Sequence, residues 1–77
     1  MEPRAAVLAV LTEEPAPLHW TRIQDLALRR GYLDPFAHPD VRRQVQTTLR
    51  TLLREGVVAK EAKGVYFLAE RAGEPEA

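Results

Sequence analysis

The sequence predicts an α+β fold: three helices with a small antiparallel sheet made of one short strand and a C-terminal β-hairpin. Three observations carry this expectation. Apolar residues recur at helical spacing in three separate stretches, the longest being Val41, Val45, Leu49, Leu52 and Leu53 at i, i+4, i+8, i+11 and i+12. Two β-prone runs, Val57–Lys60 and Val65–Leu68, flank a short connection that contains Gly64. The chain has 77 residues and no cysteine. A chain of this length buries only about 60 % of the surface its unfolded form exposes, which suffices for one modest core without disulfides.

The elements follow in order. Pro3 suits a first helical turn, and the strong helix formers from Arg4 to Glu14 run until Pro15 stops them, so the first helix covers about residues 3–13. Val7, Leu8 and Leu11 form its core stripe. Ala6, Ala9 and Val10 make the rest of its circumference apolar as well, so the helix is either well buried or meets a partner. Pro15-Ala16-Pro17 imposes an extended segment, and Leu18-His19-Trp20 reads as a very short strand. Thr21 followed by Gln24 has the Thr-x-x-Gln spacing of a capping box, which predicts a second helix that begins at Thr21. Ile23, Leu26, Ala27 and the stem of Arg30 share one face, and Gly31 closes the helix in a left-handed cap. Tyr32 to Pro39 is a loop with a single turn after Asp34-Pro35, and Phe36 is its exposed aromatic. Pro39 opens a third helix, about residues 39–55, stopped by Gly56. Glu61-Ala62-Lys63-Gly64 then joins the hairpin strands, with Gly64 supplying a positive φ.

This order is that of a winged helix-turn-helix. The domain covers residues 1–69, and residues 70–77, with no apolar periodicity, form a flexible acidic tail. Eleven basic and eleven acidic residues cancel, yet their distribution is uneven. Between Thr21 and Arg54, seven arginines face only Asp25, Asp34 and Asp40, whereas both ends of the chain are acidic. At 100° per residue, Arg43, Gln46, Thr47, Arg50 and Arg54 fall on the side of the third helix away from its core stripe, with no acid among them. A neutral total therefore conceals a basic face of the kind that meets a polyanion. Nine arginines to two lysines is a composition of GC-rich or thermophile sources.

The residues also resemble a known family. Pro17 to Ile23, Leu26 to Leu33, the stretch Gln44-Val45, Thr47, Leu49 and Leu53, and the closing Gly64-Val65-Tyr66-Phe67-Leu68 are similar to the HARE helix-turn-helix family. That winged-helix group is related to the amino-terminal domain of the delta subunit of bacterial RNA polymerase, and its members occur beside restriction endonucleases and in chromatin-associated proteins. The resemblance spans about residues 5–69. It departs from the family pattern before the third helix, where His38-Pro39 stands two residues earlier than the usual Thr-Pro pair, and after the hairpin, where the common aromatic is missing. It implies a DNA-contacting role.

The expected function is that of a small DNA-binding factor in transcription or a related DNA transaction. The third helix would enter the major groove of double-stranded DNA, with Arg43, Gln46, Thr47 and Arg50 towards base edges. Arg22, Lys60 and Lys63 would meet phosphates, and Arg42 and Arg54 are further expected DNA contacts. The alternative is a protein-interaction module, a homodimer or a docking domain for RNA polymerase or a nuclease, that uses the apolar first helix. Catalysis is not expected: no paired carboxylates, phosphate-cradling glycines or nucleophile set is present. Two isolated histidines, His19 and His38, make no metal site, and no cofactor or small-molecule substrate is implied. The longest apolar run, Ala5 to Leu11, is too short to span a bilayer, and a cytoplasmic location is expected from the absence of cysteine and of a leader-like segment.

Overall fold

Pro3 occupies the first turn of helix α1 (Pro3–Glu13), where its missing N–H costs nothing, and Glu14 turns extended ahead of Pro15. The computed structural model describes residues 1–37 and 39–69. After α1 come strand β1 (Leu18–His19), helix α2 (Trp20–Arg29), helix α3 (Val41–Glu55) and the hairpin strands β2 (Val58–Ala62) and β3 (Val65–Leu68). The sheet has the order β1-β3-β2 and is antiparallel throughout, with Leu18 opposite Tyr66 and Val58 opposite Leu68. Three helices over a small three-stranded sheet give the winged-helix-like α+β architecture. The expected tail, 70–77, lies outside the described residues.

All six elements feed one core. Ala6, Val7, Val10 and Leu11 of α1 are buried against Ile23, Leu26 and Ala27 of α2, Val41, Val45, Leu49 and Leu52 of α3, and Val58, Tyr66 and Leu68 of the sheet. Much of the apolar circumference of α1 is thus absorbed by its own core, with Leu8 packed at the margin and Ala9 half-buried outside it. Leu33, from the loop after α2, is also fully buried. Its backbone N–H and that of Tyr32 both donate to the Ala27 carbonyl, which turns the chain back under α2 past Gly31 (φ 75°).

Three local expectations are corrected. Helix α2 starts at Trp20, not Thr21, and its N-cap is His19: the Thr21 N–H donates to His19 Nδ1 at 3.2 Å. The capping box does not form, and Gln24 Oε1 is buried without a hydrogen-bond partner. An acceptor on the preceding residue reaches the free amide first, because β1 holds His19 in extended geometry (φ −66°, ψ 146°). Helix α3 starts at Val41 rather than Pro39. Asp40, at φ −108° and ψ 56°, is not helical, and the first turn closes when the Gln44 N–H donates to the Asp40 carbonyl. The hairpin is tighter than expected: β2 runs on to Ala62, Glu61 is the extra residue of a bulge, and only Lys63-Gly64 turn the corner.

Candidate nucleic-acid interface

Helix α3 is amphipathic by necessity, since its stripe of Val41, Val45, Leu49 and Leu52 must lie in the core. That places Arg43, Thr47, Arg50 and Arg54 fully outside and Gln46 at the edge. The hairpin packs beside this helix, and the junction is fixed by the start of α2. The Trp20 N–H donates to the Gly64 carbonyl at 2.9 Å. His19 stacks near Trp20, with ring centroids 5.7 Å apart, while its Nε2 lies against the hairpin turn. Nδ1 lies 3.2 Å from the Thr21 backbone nitrogen and 2.8 Å from the Thr21 hydroxyl.

The outcome is an open groove of about 500 Å³ between α3 and the hairpin. It is lined by Gln46, Leu49 and Arg50 of α3, by Lys60, Lys63, Gly64 and Tyr66 of the hairpin, and by His19 and Trp20 at the start of α2. No carboxylate is among these lining residues, and Glu61 is not one of them. Arg43, one heptad before Arg50 on the same side of α3, borders with Thr47 a second depression nearer the helix N-terminus, beside Pro3 and Asp40. The structure thus divides the α3 residues that the wheel treats as one face: Gln46 and Arg50 join the hairpin lysines, while Arg43 and Thr47 do not.

The ion pairs separate the cations more sharply. Arg4 pairs with Glu55 at 2.8 Å, Arg22 and Arg29 share Asp25, and Arg30 holds Glu13 and Glu14 at 2.7 Å each. By contrast, among the described residues Arg42, Arg43, Arg50, Arg54, Lys60 and Lys63 carry no ion pair. Two of these rest on rings: the Arg42 guanidinium sits 5.3 Å from the Trp20 centroid and the Lys60 ammonium 5.8 Å from that of Tyr66. Arg22 differs from the other site residues read from sequence in being held by a carboxylate, at 3.2 Å from Asp25. The acidic end of α1 is also tied down. Hydrogen bonding to Glu14 leads the causes that raise the Arg30 pKa, and Tyr32, whose hydroxyl donates to Glu13, is raised above its usual value mainly by that bond.

Sequence reasoning missed His19, which is not a preferred cap residue, although its place before Trp20-Thr21 in the short-strand motif was the available signal. It also missed the aromatic supports of Arg42 and Lys60, which require tertiary contact. Among the described residues no group of three or more His, Asp or Glu side chains is placed to hold a metal ion, and no helix is long and apolar enough to cross a membrane. No protein-family model, curated protein or solved structure matches the chain.

Proposed function

We propose that the chain is a winged-helix module that binds double-stranded DNA, with α3 facing the major groove and the hairpin on the adjoining backbone. The observation that carries this reading is the partition of cations. Every arginine of the described residues outside α3 is neutralised by a neighbouring carboxylate, whereas the cations of α3 and the hairpin have no such counter-charge. Unpaired cations gathered on one side of a neutral molecule cost self-repulsion in isolation and gain from an anion. A duplex, which presents a phosphate about every 1.7 Å of axis, is a ligand that meets many of them at once. The resemblance of residues 5–69 to HARE helix-turn-helix modules supports the same reading, whose setting would be transcription or an accessory DNA transaction in the cytoplasm.

Arg50 stands where the α3 face and the hairpin groove meet, so Arg50→Glu is the decisive change. It is exposed and makes no ion pair, so thermal unfolding stays within a few degrees of the parent, consistent with surface substitutions of about ±0.5 kcal/mol. Duplex binding in a low-salt mobility assay is lost. A variant that shifts duplex as well as the parent removes α3 from the interface. The docking-module alternative drew on the apolar first helix, and the burial of Ala6, Val7, Val10 and Leu11 accounts for that feature within the monomer.

A further inference from the structure

The groove between α3 and the hairpin joins cations that a duplex could use to an apolar, aromatic lining that a duplex backbone would not fill. At about 500 Å³ it falls within the range of small-ligand sites and cannot admit a double helix. The groove sets three cations together, Arg50 from α3 with Lys60 and Lys63 from the hairpin, and no carboxylate is among the lining residues. Between them lies an apolar aromatic floor of Trp20, Leu49 and Tyr66, and Gln46 adds an amide that can both donate and accept. Cations at the rim, aromatic carbon on the floor and one amide match a ligand that joins several adjacent negative charges to a flat heteroaromatic ring.

We infer that this groove binds a nucleoside di- or triphosphate, with its phosphates between Arg50, Lys60 and Lys63 and its base against the Trp20 side of the floor. The three side chains supply the counter-charge that a divalent cation supplies elsewhere, and no lining carboxylate is present to hold one. The groove therefore takes the metal-free polyphosphate in preference to its magnesium complex. His19 Nδ1 is committed to the cap of α2, so the imidazole serves as wall. Occupancy of the groove stands apart from the DNA reading. One consequence rests on that reading: a bound nucleotide uses the same Arg50, Lys60 and Lys63 and so competes with duplex.

Trp20 is the single tryptophan of the chain and lines the groove, so its fluorescence reports occupancy directly. The full chain is titrated at low salt in EDTA with adenosine triphosphate and with inorganic tripolyphosphate, with calorimetry in parallel to register binding that leaves the indole unchanged. Both ligands give saturable binding, and the nucleotide binds about threefold or more tighter through its base, a gain in line with the energy of ring contacts. Lys60→Gln/Lys63→Gln weakens nucleotide binding about tenfold or more, as the loss of charged hydrogen bonds requires. Arg29→Gln, on α2 and outside the groove, leaves it unchanged, and excess magnesium weakens it. Absence of saturable binding by both measurements, equal affinity for the two ligands, or indifference to the double lysine change overturns the inference. The two readings fail separately. A parent chain that binds nucleotide but shifts no duplex sinks the DNA reading alone, and a duplex that stays bound at saturating nucleotide sinks the shared use of the groove.

Discussion

His19 shows how much a single side chain can settle. Its backbone pairs with Val65 in the sheet, its Nδ1 caps α2, and its Nε2 lies against Gly64. Gly64 has φ +75°, and a Cβ there would stand 2.9 Å from His19 Nε2 and 3.3 Å from Trp20 Cδ1. Gly64→Ala therefore meets both a left-handed backbone and two rings that are held from the other side. Denaturant unfolding is expected to show a loss of about 1–3 kcal/mol, with the groove splayed beside Gly64. Tyr32 gives a pH dependence of known sign. Its hydroxyl donates to Glu13, which raises its pKa above the ordinary value of about 10, so the fold favours the protonated phenol. Its contribution is complete below the unfolded value and is lost as pH climbs through the raised one. The melting temperature of the parent should fall more steeply above pH 10 than that of Tyr32→Phe, and parallel curves would detach Tyr32 from the effect.

At the scale of elements, the connection between α2 and α3 is held by less than its length suggests. Leu33 is 2 % exposed, the only described residue of this loop among the core side chains, and the Asp34 carboxylate fixes the following turn by accepting the Phe36 N–H at 2.9 Å. Leu33→Ala removes a buried side chain from a small core and is expected to cost about 2–4 kcal/mol by chemical denaturation. Because Leu33 packs in the core that α2 and α3 share, duplex binding should weaken in the same variant. The helices themselves were largely legible. Pro3 and Pro15 bracket α1, and the five-position stripe of α3 survives with only Leu53 drawn to the margin of the core. The errors fall at helix starts, where the sequence offers several competing caps. Thr21 and Pro39 both have the right chemistry, yet the strand that ends at His19 and the turn at Asp40 fix the backbone torsions first. Leu33 was read as loop because a single apolar residue has no period to betray it.

The whole molecule is neutral, and what matters is how its charges are paired. If five or six of Arg42, Arg43, Arg50, Arg54, Lys60 and Lys63 meet phosphates, the logarithm of duplex affinity should fall with that of salt concentration with a slope of about −4 to −5. Fluorescence anisotropy across a salt series measures it, and a slope near −1 would mean that the unpaired cations do not act together. The equal count of acids and bases could not reveal this, because composition does not say which carboxylate reaches which arginine. By itself the sequence determined the fold class, the element order, the core stripe of α3 and the acid-free face opposite it, since periodicity and proline and glycine placement act over a few neighbouring residues. The pairing of Asp25 with Arg22 and Arg29 follows from helical spacing, but tertiary structure alone decided that Glu13 and Glu14 neutralise Arg30 and that Glu55 neutralises Arg4. It also decided that Arg50 and Gln46 share a groove with Lys60 and Lys63 while Arg43 and Thr47 line a different one. Such juxtapositions follow from how the hairpin packs beside α3, a contact between residues far apart in the chain that no local pattern encodes.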